Sequence, residues 1–352
     1  MRIYFAGSLS RAWTRCLYEV GMRRRLTSYV DRAGTLSEVE HVRIYLASVQ
    51  GGSAAAVAAI PGHRRLLSRE DSAFKKGLKV ERVVAAPDLF LDSGAFTAWT
   101  KGTKIDLDAY ADFALAHRDV FTVVANLDVI PGAPGAAAPT SAAVERAAAQ
   151  GWEHYEHLRR RFAGCPFTLL HAYHYGEDPR WLKKLMDQAE YLAVGGIATP
   201  GLTTGAKRVF LDGIMPLLTD DAGRPVRRFH GFGVTGLSLM RRYPWYSVDS
   251  TSWLVSTRFG SVHVPLGERV HVVTFSSGSP KMEEAGAHFT TYAPAEQAAI
   301  RAYVEGKGYA VEQLASDYVK RSELNVIFFV DLEAAWVDQP WHPETAQPSF
   351  FG

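Results

Sequence analysis

Residues 89–96 read Leu-Phe-Leu-Asp-Ser-Gly-Ala-Phe: an apolar run, a carboxylate, then a Ser-Gly pair that stops the run. A short stretch apolar on every residue suits a strand buried on both faces, as in a parallel sheet covered by helices. The aspartate and the following glycine mark a turn at its end. The pattern recurs outward in both directions. Arg2–Gly7 and Val42–Ser48 precede it, and Phe121–Asp128, Phe167–His174, Tyr191–Ile197, Phe229–Val234 and Tyr246–Asp249 follow. Amphipathic helices are predicted between several of these, at Leu107–His117, Ser141–Arg161 and Pro179–Gln188, the last with Asp178 as its N-cap. Strands alternating with helices through eight repeats predict an α/β fold, a (β/α)8 TIM barrel with insertions, rather than a doubly wound sheet. The stretch 49–88 reads ambiguously.

Beyond residue 254 the alternation lapses. Val262–Pro265, His271–Phe275 and Val326–Asp331 read as strands, and Ala295–Glu305 and Val311–Arg321 as helices. The expected organisation is a barrel domain over 1–254 and a small α+β C-terminal extension over 255–352, packed on the barrel and not independent.

Composition narrows the class of protein. The chain has 352 residues, 47% hydrophobic and 22% charged, enough for a sizeable core. No run approaches the roughly 20 apolar residues that span a bilayer, and the N-terminus has no apolar signal-peptide segment. A cytoplasmic protein is expected, without a membrane partner. Two cysteines, Cys16 and Cys165, exclude a disulfide framework and a four-cysteine zinc site. The formal charge of +2 hides an asymmetry: residues 1–80 hold 14 Lys and Arg against six Asp and Glu, a net +8, which leaves −6 on the remainder. Such a segment can meet a polyanion or simply be solvated.

In a barrel the functional side chains collect at the C-terminal ends of the strands. Those ends carry Asp92-Ser93-Gly94-Ala95-Phe96, Asn126-Leu127-Asp128, His171-Ala172-Tyr173-His174, Gly195-Gly196-Ile197, Gly231-Phe232-Gly233 and Val248-Asp249-Ser250. Three carboxylates, a glycine pair and two phenylalanines are therefore expected around one mouth.

In this order, Asp92-Ser-Gly-Ala-Phe96, Gly195-Gly-Ile-Ala198, His230-Gly-Phe-Gly-Val234 and Tyr246-Ser-Val-Asp-Ser250 resemble the motifs of the tRNA-guanine transglycosylases. The resemblance covers roughly residues 88–260. It is closest to phage and prophage relatives that place 7-deazaguanine bases in DNA. The resemblance implies a glycosyltransferase that exchanges guanine for a 7-deazaguanine, such as the 7-cyano base, through a covalent bond between Asp249 and the sugar C1′. It implies Asp92 as the general base toward the incoming base. Asp128 would accept hydrogen bonds from the base, with Gly195 and Gly196 against its edge. Phe96 and Phe232 would stack on the base, and Ser93, His171 and His174 would line its pocket.

The family's tRNA-acting members carry a structural zinc held by three cysteines and a histidine. No cysteine follows Cys165, and nothing completes a ligand set around His263, His271 and His288. No cofactor or metal is expected, and DNA is favoured over tRNA as the polymer, with the free 7-deazaguanine base as second substrate. Arg258, Arg241, Arg242 and Trp253 are expected to contact the nucleic acid. The basic runs Arg23-Arg24-Arg25, Arg64-Arg65, Lys75-Lys76, Arg159-Arg160-Arg161 and Arg227-Arg228 are expected to track phosphates. A tRNA substrate, a TIM-barrel glycoside hydrolase using paired carboxylates, and a non-catalytic nucleic-acid-binding barrel are the alternatives. An accessory protein that opens a duplex is neither implied nor excluded.

Overall fold

The computed structural model describes residues 29–30, 36–37, 42–48, 57–70, 88–136, 138–198, 201–234, 236–267 and 269–343. These fall into two compact units, one built on Val42–Thr251 with the short return 339–343, the other on Ser252–Asp338.

The first unit is the barrel. Its strands are β1 (Arg43–Ala47), β2 (Arg64–Ser68), β3 (Leu89–Asp92), β4 (Val123–Ala125), β5 in two pieces (Thr168–Leu170 and Ala172–His174), β6 (Tyr191–Gly195), β7 (Arg228–Gly231) and β8 (Ser247–Ser250). Every neighbouring pair is parallel, and β8 pairs with β1. The first piece of β5 pairs with β4 and the second with β6, so the sheet closes through a strand interrupted only at His171. The His171 carbonyl still accepts from Ala193 N–H at 2.9 Å.

The alternation within each strand sets what faces inward. Tyr45, Ala47, Leu66, Phe90, Val123, Ala125, Leu170, Ala172, Tyr191 and Ala193 pack together as the barrel's filling. On the other parity, Leu67, Leu89, Leu91 and Val124 pack with Tyr110, Ala111, Ala114 and Leu158 of the surrounding helices.

The helices α1 (Ala95–Thr100), α2 (Leu107–Ala116), α3 (Ser141–Arg161), α4 (Pro179–Met186), α5 (Thr204–Leu218) and α6 (Leu237–Arg242) follow the strands. Asp106, Thr140, Asp178 and Thr203 each cap a helix, accepting an N–H of its first turn.

The expected strand Arg2–Gly7 lies outside the described residues. The barrel's first strand is Arg43–Ala47, and its second, Arg64–Ser68, comes from the ambiguous stretch. That strand is hard to read because Arg-Arg-Leu-Leu-Ser has two arginines. Arg65 is nonetheless buried, and a cation on the packed face breaks the apolar signal.

In the second unit, β9 (Ser261–Leu266) and β10 (Arg269–Thr274) form an antiparallel pair. It also holds α7 (Ser252–Arg258), α8 (Pro294–Gly306), α9 (Val311–Ser316) and α10 (Tyr318–Ala334). Val262, Val264, Val273, Ile300, Val304, Leu314 and Leu324 form its core. Two expectations are corrected here. Val326–Asp331 is helical, inside α10, where Val326, Phe328 and Phe329 are buried: tertiary packing overrides the β propensity of Val-Ile-Phe-Phe-Val. The single helix expected over Val311–Arg321 breaks at Asp317, whose side chain accepts from Val319 and Lys320 N–H and starts a new helix. Among the described residues no helix is long and apolar enough to cross a membrane.

Candidate active site

The parallel sheet puts the ends of β3, β5, β6, β7 and β8 at one mouth, and the register decides which side chains meet there. Asp92 lies opposite Ser68, His174 opposite Gly195, and His230 opposite Ser247, two residues before Asp249 on the same face.

Asp92 accepts Gly94 N–H at 3.1 Å and the Ser68 hydroxyl. Burial, with the charges of Asp249 and Asp128 added, nevertheless pushes its pKa up to about 7. Gly94 holds φ +80°, and a Cβ there would meet Glu70 Cγ at 2.6 Å, so the turn after Asp92 accepts no side chain.

Asp249 is 8% exposed. Its Oδ1 accepts Gly233 N–H at 2.7 Å and lies 3.3 Å from His230 Nε2. Gly233 holds φ +67°, a left-handed conformation that aims its N–H at the carboxylate.

Asp128 pairs with His174, Oδ2 to Nε2 at 3.2 Å, and His174 Nδ1 lies 2.9 Å from Glu177 Oε1. Burial alone would deprotonate this imidazole. Asp128 and Glu177 outweigh it and hold His174 protonated, well above the ordinary histidine range. The resulting cation fixes the Asp128 carboxylate at the mouth.

The glycine pair has a protein-internal reason. A Cβ on Gly195 would lie 2.8 Å from His174 Cδ2, and one on Gly196, at φ +73°, would lie 2.9 Å from Tyr175 N. The turn is bare first because the end of β5 packs against it.

Phe96 is 52% exposed on α1, its ring 5.9 Å from Trp99. Phe232 is partly buried, 5.8 Å from Phe90 and 4.6 Å from His230, and forms part of the barrel's lining.

Several expected contacts are corrected. His171 points away from the barrel, stacked on Tyr155 at 5.0 Å with Trp152 at 5.7 Å and Asn126 Nδ2 at 3.0 Å. Burial pushes its pKa down to about 4, so it is a neutral packing residue behind the site. Ser93 is buried, and its Oγ accepts Ala95 N–H at 3.4 Å. Its job is to shape the turn between β3 and α1.

Trp253 is fully buried in the second unit and offers no surface to a nucleic acid. Arg258 is exposed at the end of α7 in that same unit. Arg242 is committed to Asp212, Nη2 to Oδ2 at 2.8 Å, beside the Tyr243 hydroxyl, while Arg241 is exposed.

The basic runs are mostly paired within the barrel unit. Arg64 bonds Asp88, and Arg161 bonds Asp108 and Asp112. Arg159 meets Glu156, Arg227 meets the Met186 carbonyl, and Arg228 lies over the Tyr246 ring. Arg23-Arg24-Arg25 and Lys75-Lys76 lie outside the described residues.

His230, Glu177, Ser247 and Tyr191 were not singled out from sequence. Parity would have found two of them: Ser247 shares Asp249's face by its spacing of two, and the strand pairing then brings His230 to both. An open groove of about 560 Å³ lies beyond Glu177, lined by Tyr173, Tyr175, Val209 and Phe210 among others. Among the described residues, no three His, Cys, Asp or Glu side chains are grouped to hold a metal ion. Comparison with protein-family models and with curated proteins found no match.

Proposed function

We propose that the barrel exchanges a purine base in a nucleic acid, replacing guanine with a 7-deazaguanine through a covalent intermediate on Asp249. The observation that carries the reading is the different setting of two carboxylates at one mouth. Asp249 Oδ1 accepts Gly233 N–H at 2.7 Å, whereas Asp92, pushed up to about 7, passes a proton readily at neutral pH.

Asp249 attacks the sugar C1′ as the C1′–N9 bond breaks, and the electron pair leaves on N9. Protonated Asp92 gives its proton to the departing guanine. The incoming base then returns a proton from its own N9 to Asp92 and attacks C1′, and the Asp249 ester opens to carboxylate. Protons and electrons balance over the cycle, and two smaller barriers replace one large one. Asp128, fixed by the His174 cation, is the acceptor for N–H groups on the base edge.

The choice of DNA, and of a phage-type relative, rests on the motif resemblance and on a chain whose two cysteines cannot supply a three-cysteine zinc set. A glycoside hydrolase would also use paired carboxylates, and it is the motif resemblance that favours base exchange over it.

The test is incorporation of labelled guanine, or a labelled 7-deazaguanine, into duplex DNA or tRNA by wild type and Asp249→Ala. Label enters one polymer, and only with the carboxylate present. No uptake into either polymer with any of these bases ends the proposal.

A further inference from the structure

His230 is packed among the rings of the barrel core, and the motifs assign it no part in the chemistry. It is 0% exposed, boxed by Tyr45, Phe90 and Phe232 at ring distances of 6.1, 5.0 and 4.6 Å. Both its nitrogens are placed. Nδ1 lies 2.7 Å from Ser247 Oγ, and Ser247 Oγ lies 2.6 Å from the Tyr191 hydroxyl. Nε2 lies 3.3 Å from Asp249 Oδ1.

A Tyr–Ser–His–Asp row in an apolar box has a preferred direction of donation. The Asp249 carboxylate only accepts, so the Nε2 that faces its Oδ1 carries the proton and Nδ1 is the acceptor. Ser247 then donates to Nδ1, and the Tyr191 hydroxyl, which burial keeps protonated, donates to Ser247 Oγ. The atoms are those of a hydrolase triad in the reverse sense. Ser247 is 0% exposed and cannot be a nucleophile, and the carboxylate is the member at the mouth.

We infer that His230 is a positioning residue that selects the attacking oxygen of Asp249. Its Nε2–H and the Gly233 N–H both engage Oδ1, which leaves Oδ2 to form the bond to C1′ as the C1′–N9 bond breaks. In the ester, Oδ1 is the carbonyl oxygen. When the ester opens, the charge returning to the carboxylate meets two donors already in place, so the leaving step needs no reorganisation. Ser247 and Tyr191 enforce the tautomer from behind. The inference rests on the transglycosylase reading of Asp249.

Two measurements test it. Nitrogen-15 NMR of the histidine rings in the wild-type protein reads the tautomer without any turnover: Nε2–H is expected for His230, and an Nδ1–H tautomer or a doubly protonated ring overturns the inference. Kinetics of base exchange supply the second arm. His230→Phe keeps the aromatic box and removes the donor. It is expected to lower kcat about 10- to 100-fold with KM for the polymer unchanged. His230→Gln, which can return an N–H near the Nε2 position, is expected to recover part of the loss. An unaltered kcat in His230→Phe overturns the inference. So does equal loss in both variants accompanied by a common fall in Tm, which would mark a purely structural role. If the wild type exchanges no base at all, the proposed function fails, and the tautomer still decides the contact between His230 and Asp249.

Discussion

The barrel buries carboxylates at both ends and treats them in opposite ways. At the N-terminal ends of the strands, Asp88 accepts from the Tyr45 hydroxyl at 3.0 Å and from Thr122 Oγ1, and pairs with Arg64 at 2.5 Å and Arg43 at 3.8 Å. Two guanidinium groups and two hydroxyls neutralise one anion. At the C-terminal ends, Asp92 has a backbone N–H and a serine hydroxyl, and the charges that act on it, Asp249 and Asp128, are of its own sign. One end spends its polar groups on closing the barrel. The other keeps a charge imbalance that makes a carboxyl group titrate near neutrality, which is what proton transfer requires and what stability opposes.

Breaking each end should show the contrast. Asp92→Asn is expected to lower base exchange on the order of 10²–10⁴-fold, read by label incorporation, while raising Tm at pH 8. The sign follows from its folded pKa of about 7, which lies above the 3.8 of an unperturbed aspartate. Wild type therefore loses stability as pH rises between those values, and asparagine abolishes a loss of roughly 2–4 kcal/mol. Equal Tm values for the two proteins at pH 8 would contradict the charge imbalance.

Asp88→Ala should do the reverse. It leaves Arg64 and Arg43 facing each other without an anion. Both retain some solvent, with 24% and 33% of their side-chain surface exposed, so the expected cost is about 2–3 kcal/mol in urea denaturation, at the low end for a broken buried pair. A neutral result would mean the floor is not held by this anion.

Gly196→Ala probes the seam between the ends of β5 and β6. Its positive φ and the approach to Tyr175 N predict a loss of about 1–2 kcal/mol, measured by thermal unfolding, with a parallel loss of exchange as the end of β5 shifts. Glu177→Gln should have the smallest effect. It removes one of the two anions that keep His174 protonated, and an NMR titration should show that imidazole deprotonating at lower pH than in wild type. An unchanged titration would leave Asp128 as the sole support of the cation.

The legible part of this molecule is the part written in a period. The runs that end in Asp92, Asp128 and Asp249 mark strands, and the bounds Ser141–Arg161 that the sequence predicts are those of α3. Sequence alone places His171 and Ser93 toward the site because they adjoin residues that do face it. A shift of one along an extended chain reverses the side, and the break of β5 at His171 is invisible in sequence. Trp253 and Arg242 have the chemistry to meet a nucleic acid, yet Trp253 is buried and Arg242 pairs with Asp212, 30 positions earlier. Pairs so distant leave no local signal.

Sequence by itself determined the alternation of strand and helix, the order of the carboxylates along the chain, and the shortage of cysteine. Those are local properties, fixed by side-chain period and composition. Only the tertiary structure decided that Arg64–Ser68 is a barrel strand, that Asp92 feels two other anions, and that His230 stands behind Asp249. Each of those depends on which residues a closed sheet sets side by side. Register and through-space charge are properties of the assembled barrel rather than of any segment in it.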